Sequence, residues 1–287
     1  NAIKIACRKN PSAKFGISFQ NGWHGRTSGA ISLTNSRSVQ TKHYLKIPVK
    51  RLPYNENASE ELENMIKREC DASEIGFVIM ECVQGEGGYY PASKKMVQDI
   101  RKTTRKHGIP LICDEVQSGM GRTGKWWAYQ HHDIVPDIQT CAKMLQVAAT
   151  VSKKSMFPSE ASAISSTWGG GQWLELVMGA EVIRQIKKQK LLKNAQRMGN
   201  EIHQRLLEIH TQTNSIHHPR GLGLMQAFDV KDTQTRNKFR DACFQRGLIV
   251  LGCGWNGIRI SPSLNIKIEE GQEGMDIIET IAKGMKK

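Results

Sequence analysis

An acid and a lysine organise this sequence. Asp114 closes a short apolar run at 111–113, and Lys143 follows a second approach through Pro136, Asp137 and Ile138. Between them lie a glycine-rich turn (Gly119, Gly121, Gly124) and an aromatic patch (Trp126, Trp127, Tyr129). A carboxylate and a primary amine delivered by successive buried strands suit chemistry on pyridoxal phosphate. The lysine can hold the aldehyde carbon as a Schiff base, and the acid can keep the pyridine nitrogen protonated so that the ring draws electrons. Alone, each residue has a plainer reading: Asp114 as a helix cap, Lys143 as a solvated lysine. Two features favour chemistry. Lys143 follows an apolar strand signal, and Trp23 and Gln117 also fall at strand ends.

The elements that must position these residues follow from the pattern. Residues 1–9 carry Ile3, Ala6 and Cys7 at helical spacing, so the chain is expected to open inside an amphipathic helix and to lack a segment before Asn1. Phe15, Ile17 and Phe19 alternate as a strand leading into the loop NGWHGRT, where Trp23 and His24 could meet a flat ring and Arg26 an anion. Residues 45–57 read as irregular loop, since Pro48 and Pro53 break any helix. A polar-faced helix at 60–69 precedes the continuous apolar run Ile75–Met80, the mark of a parallel strand buried on both faces. That run ends in Glu81 and in a loop where Glu86 is flanked by glycines. A helix at 94–107, stopped by Gly108 and Pro110, returns the chain to the Asp114 strand. Acids and glycines thus gather at strand C-terminal ends, where open α/β sheets bind ligands.

Further on, residues 172–210 read as helical, with Leu174, Val177, Met178, Val182 and Ile186 as a core-facing stripe. A polar loop is expected at 211–219. Strands at 222–228, 248–251 and 257–260, a helix at 235–246 and a final helix complete an α+β unit, with Arg259 on a strand. The expected architecture is α/β: a mostly parallel sheet flanked by helices in a large domain over residues 1–190, then a small C-terminal α+β domain over 191–287.

Composition narrows the classes. The 287 residues are 39% hydrophobic and 24% charged, as in a water-soluble globular protein. No apolar run approaches the roughly 18 residues of a membrane span, and no signal peptide is evident. Seven scattered cysteines without a CxxC pair argue for free thiols in a reducing cytoplasm. The adjacent His217 and His218 lack an i, i+4 partner, so no metal site is expected. The net charge of +14 is spread over helix faces such as Lys187, Lys188, Lys190 and Lys193, without a nucleic-acid-binding motif. Attraction of anionic substrates accounts for it more simply than nucleic acid does.

The motifs WHGRT (23–27), ECVQGEGG (81–88), DEVQSGMGRTGKWWA (114–128), PDIQTCAK (136–143), STWGG (166–170), RGLG and GIRISP together resemble the class III pyridoxal phosphate-dependent aminotransferases. This fold-type I group includes 4-aminobutyrate, ornithine, acetylornithine and lysine 6-aminotransferases, and the resemblance runs over essentially the whole chain. It implies pyridoxal 5′-phosphate as cofactor, with Lys143 as covalent anchor and proton carrier and Asp114 at the pyridinium nitrogen. Gln117 would lie near the ring hydroxyl, Trp23 on the ring face with His24 beside it, and Thr167 on the phosphate of a neighbouring subunit's cofactor, making a homodimer part of the site. Arg26 and Ser166 are implied on the substrate side. Glu86 and Arg259 resemble a switch in which Glu86 stands in for the α-carboxylate that Arg259 otherwise grips.

The substrates so implied are an amino acid or ω-amino acid donor and a 2-oxo acid acceptor such as 2-oxoglutarate. Cys82 stands where the family commonly has Pro. The residues QVAAT (146–150) replace a run of glycines, a pattern nearer lysine 6-aminotransferases. The family's phosphate-cradling glycine loop would precede Asn1. Racemase or aminomutase chemistry on the same anchors, and a non-catalytic remnant without the cradle, are the alternatives.

Overall fold

Six strands form the sheet that carries Asp114. The structure, a computed structural model, describes residues 1–166 and 169–285; Thr167 lies outside the described residues. Across the sheet the strands run Val49–Leu52, Phe15–Phe19, Ile75–Met80, Leu111–Asp114, Ile138–Cys141 and Ala149–Ser152. All neighbours pair in parallel except the last two. Every residue of Ile75–Met80 is buried, as its unbroken apolar run requires of an interior parallel strand. On one face the helix Ala2–Lys9 lays Ala2, Ile5 and Ala6 against Phe77, Ile79, Ile112 and Ile138. Gly16 is needed beneath this layer, because a β-carbon there would come within 2.4 Å of the Phe77 ring.

The helix Lys94–Lys106 delivers the chain to the Asp114 strand. Ser93 caps it by accepting the Met96 N–H at 3.1 Å. Its Arg101 then grips Asp137 with two parallel hydrogen bonds of 2.6 and 2.9 Å, and Asp137 also accepts the Leu111 N–H. The aspartate of the PDI motif is thus a tie between helix and strands.

Two sequence expectations fail in this sheet. The stretch 45–57 is not wholly irregular: it contains the edge strand Val49–Leu52, which Pro48 and Pro53 bound instead of breaking. Proline is tolerated at strand limits and sheet edges, and the Pro48 carbonyl accepts the Gly16 N–H. The antiparallel strand Ala149–Ser152, closing a hairpin after Lys143, was not anticipated.

Two compact units divide the chain. The first is Asn1–Cys82, Ala92–Gly119 and Trp127–Ile183; the second gathers Val83–Pro91, Met120–Trp126 and Arg184–Lys287. In the second, an antiparallel sheet runs Leu251–Cys253, Gly257–Ile260, Met225–Asp229, His217–Leu222, with helices Leu191–Thr213, Thr233–Gln245 and Ile268–Gly284. The expected polar loop at 211–219 is mostly regular structure, and the single strand expected at 222–228 is the second arm of a hairpin turning at Gly223, φ +53. The glycine-rich turn serves packing in this unit. A β-carbon on Gly121 would strike Leu192, and one on Gly223 would strike the Thr123 backbone.

The helical stretch breaks at Lys190, φ +52, into Trp173–Lys188 and Leu191–Thr213. Its apolar stripe is not core-facing throughout: Leu174, Val177 and Met178 are exposed, and only Ile186 is buried. Periodicity shows that a helix has an apolar face, but not that its own chain covers it. No helix among the described residues is long and apolar enough to cross a membrane.

Candidate active site

Asp114 stands at the C-terminal end of its strand, 8% exposed, with three donors around it. The Val116 N–H and the Thr140 hydroxyl each donate to Oδ1 at 3.1 Å, and His24 Nδ1 lies 2.8 Å from Oδ2. Thr140 reaches it because Asp114 and Thr140 are register partners on adjacent parallel strands. Burial pulls the His24 imidazole down, but its hydrogen bond to Asp114 and the charges of Asp114 and Glu81 outweigh this, so its pKa is raised.

The WHG loop is held from behind. The Trp23 N–H donates to the buried Glu81 carboxylate at 2.8 Å, and the His24 N–H donates to Thr34 Oγ1 at 3.0 Å. Thr34 in turn donates to the Gly25 carbonyl at 3.0 Å. Trp23 is half-buried, and the exposed Arg26 guanidinium lies 5.5 Å from its ring centre. Next to Asp114, Glu115 accepts from the Ala128 and Tyr129 N–H groups and from Ser118. Burial still dominates over these donors and pushes its carboxyl up to about 7.

A cavity of about 440 Å³ opens over these strand ends, lined by His24, Asp114, Val116, Thr140 and Ala142 among others. That volume suits a small ligand. Lys143 follows Ala142 directly, begins a 3-10 turn with φ +46, and is exposed. Among the described residues none takes its ammonium. Gln117 Oε1 is buried without a hydrogen-bond partner among the described residues. Ser166 is exposed.

In the second unit Arg259 donates to Glu86 Oε1 at 2.5 Å, with both side chains largely buried. Tyr89 packs beneath the guanidinium, 5.8 Å from ring centre to Arg259 Cζ. Burial pulls Arg259 down, but Tyr89 and Glu86 hold it above its ordinary value.

The model of the family described as aminotransferase class-III matches residues 1–282. The chain belongs to the class-III aminotransferases. It is 35% identical over 283 residues to an acetylornithine aminotransferase of Archaeoglobus fulgidus, spanning 96% of this chain and 71% of that one. It is 34% identical over 272 residues to the mitochondrial 4-aminobutyrate aminotransferase of Mus musculus, spanning 86% of this chain and 54% of that one. Against the solved lysine aminotransferase of M. tuberculosis the TM-score is 0.91 at 25% identity, covering all of this chain and 72% of the other.

Class-III aminotransferases are pyridoxal 5′-phosphate-dependent, and the residues present fit that group. A buried carboxylate and an orphaned buried acceptor, Gln117 Oε1, suit a ring bearing a protonated nitrogen and a hydroxyl. Sequence reasoning singled out Asp114, Gln117, Trp23 and His24, but not Thr140 or the His24–Asp114 contact. It placed Glu81 at a strand end without the Trp23 N–H that donates to it. A threonine at the register partner of the acid was the available signal for Thr140.

Proposed function

We propose that this chain is the subunit of an aminotransferase moving an amino group from an amino acid or ω-amino acid, of 4-aminobutyrate, ornithine or lysine type, to a 2-oxo acid such as 2-oxoglutarate. The observation that carries this reading is the buried Asp114 carboxylate, braced by His24 and Thr140 at a cavity lined as far as Ala142, the residue before Lys143. Pyridoxal 5′-phosphate, when bound, supplies the electron sink that makes the donor's amine-bearing carbon acidic. Asp114 would face its ring nitrogen, Gln117 its hydroxyl and Trp23 its face, with Lys143 as covalent anchor.

The work of the chain is then positioning and proton transfer. Lys143 Nζ, with no competing partner among the described residues, takes the proton from the amine-bearing carbon of the donor and returns it elsewhere on the reacting system. His24, kept cationic more readily by Asp114 and Glu81, holds Asp114 in place. Arg259 receives the α-carboxylate of the 2-oxo acid, and Glu86 occupies its fork when the donor brings none. Arg26 and Ser166 are assigned to the substrate side and Thr167 to a neighbouring subunit's cofactor phosphate.

A homodimer is part of this reading, supported by the exposed apolar side chains of Trp173, Leu174, Leu176 and Val177 on one helix. Seven free cysteines favour a reducing compartment such as the cytoplasm. The test is a panel of amino donors with 2-oxoglutarate. Glutamate should form from at least one donor, and Lys143→Ala should lower that rate by about 10³-fold or more. Absence of glutamate with every donor would sink the assignment.

A further inference from the structure

The antiparallel sheet of the second unit carries a second buried arginine–carboxylate pair beside the Glu86–Arg259 fork. Ala227 is the register partner of Arg259 on one side and of Arg220 on the other. Paired residues share a sheet face, so both arginines rise from the same face, two strands or about 10 Å apart. Arg220 is held by three acceptors. Its Nη2 donates to Asp229 Oδ1 at 2.8 Å, its Nη1 to the His218 carbonyl at 2.9 Å and its Nε to the Gly88 carbonyl at 2.8 Å. Its guanidinium lies 4.0 Å from the ring centre of Tyr90. Asp229 is 6% exposed and accepts from Tyr90 as well.

Two of those contacts, the Gly88 carbonyl and the Tyr90 ring, belong to the hairpin that bears Glu86. That hairpin needs support, since Gly88 has φ +133 and Tyr89, a residue with a β-carbon, has φ +56. Another anchor is the Gly254 N–H, which donates to the Glu86 carbonyl at 2.9 Å. The main chain around Glu86 is therefore pinned at residue 86 by Gly254 and at residue 88 by Arg220. The Glu86 side chain meets Arg259 between these two points.

We propose that Arg220, braced by Asp229, is a positioning residue that fixes the Val83–Pro91 hairpin so that the Glu86 carboxylate stays on Arg259. It thereby sets how readily Arg259 is released to a substrate carboxylate. The inference rests on the reading of Glu86 and Arg259 as a substrate-selecting fork. Lysine in place of Arg220 keeps a charge near Asp229 but loses the planar, multi-point grip.

Two measurements on the cofactor-loaded enzyme test it, with thermal unfolding of each variant to establish that it folds. First, kcat/KM is compared for a donor lacking an α-carboxylate and for 2-oxoglutarate. In Glu86→Gln the ratio of donor to acceptor should fall about tenfold, the scale of one charge-assisted hydrogen bond. Arg220→Lys should move it in the same direction, and the double variant should fall no further than Glu86→Gln alone. Equal loss for both substrates in Arg220→Lys, or a double effect equal to the product of the single ones, overturns the proposal. Second, amide hydrogen exchange over residues 83–91 should quicken about tenfold in Arg220→Lys and not in Glu86→Gln. Unchanged exchange overturns the grip even if the ratio moves. If Glu86→Gln leaves the ratio unmoved, the fork reading fails, the selectivity claim falls with it, and exchange alone decides the grip. Should Arg220→Lys not fold, Tyr90→Leu removes the ring under the guanidinium and should shift both readouts the same way, less far.

Discussion

His24 Nδ1 and Asp114 Oδ2 share a hydrogen bond of 2.8 Å in a setting where the two side chains are 2% and 9% exposed. A buried imidazole would ordinarily shed its proton, yet this one is raised because Asp114 and Glu81 favour the cation. A raised folded-state pKa means the folded form binds the proton more tightly than the unfolded form. The stabilisation is therefore fully present below the unfolded value of about 6.5 and is lost as pH rises through the higher folded value. His24→Gln should abolish that part of the slope in the cofactor-free protein. Urea unfolding of both forms between about pH 6 and 9 reads it, and parallel slopes would refute the coupling.

Glu115 gives a slope in a lower window. Its carboxyl is pushed up to about 7, burial outweighing the Ala128, Ser118 and Tyr129 donors. Between the unfolded value near 4.5 and about 7, the folded state binds more protons than the unfolded state, so stability falls with rising pH. The total is on the order of 3 kcal/mol. Glu115→Gln should remove this slope. It should also cost about 1–3 kcal/mol of stability, because the amide cannot accept from both backbone N–H groups at once. The difference between wild type and variant below pH 7, measured by denaturant unfolding, isolates it from the His24 effect.

Gln117 should show opposite signs in the two forms of the protein. Its buried Oε1 has no partner among the described residues, and an unmet acceptor costs about 1 kcal/mol or more. Gln117→Met relieves that cost and should raise the stability of the cofactor-free protein by up to about 1 kcal/mol. The same change should weaken pyridoxal 5′-phosphate about tenfold, the equivalent of one lost hydrogen bond. Thermal unfolding without cofactor and a spectroscopic cofactor titration give the two numbers. A loss of stability in the cofactor-free protein would mean that Gln117 is a packing residue.

The interior of the first sheet was legible because an unbroken apolar run has few other uses: Ile75–Met80 was read to the residue. Val49–Leu52 was hidden because this edge strand carries Lys50 and Arg51, which mask the apolar signal between two prolines. Asp114 and Lys143 stood out by residue type and by the resemblance. The His24–Asp114 contact was not, since it joins residues on separate strand ends and depends on how far the WHG loop is drawn in by Glu81 and Thr34. The Arg220 grip was equally hidden, because backbone carbonyls such as that of Gly88 leave no trace in side-chain pattern. Leu174, Val177 and Met178 were misread for a simpler reason: an apolar stripe does not say what covers it.

Arg259 offers the sharpest test of substrate choice. Its guanidinium meets Glu86 at 2.5 Å and packs on Tyr89 in a largely buried setting, so each hydrogen bond there is stronger than on the surface. A substrate carboxylate that replaces Glu86 would gain a charge-assisted pair, while a donor without an α-carboxylate gains nothing from Arg259 directly. Arg259→Ala should therefore lower kcat/KM for 2-oxoglutarate by about 10²-fold, corresponding to roughly 3 kcal/mol for a hydrogen-bonded charge pair. For the donor half-reaction the loss should stay within about fivefold, from the Glu86 carboxylate left without its partner. Single-turnover measurements of each half-reaction separate the two. Equal losses in both would show that Arg259 supports the fold of its sheet and does not select the substrate.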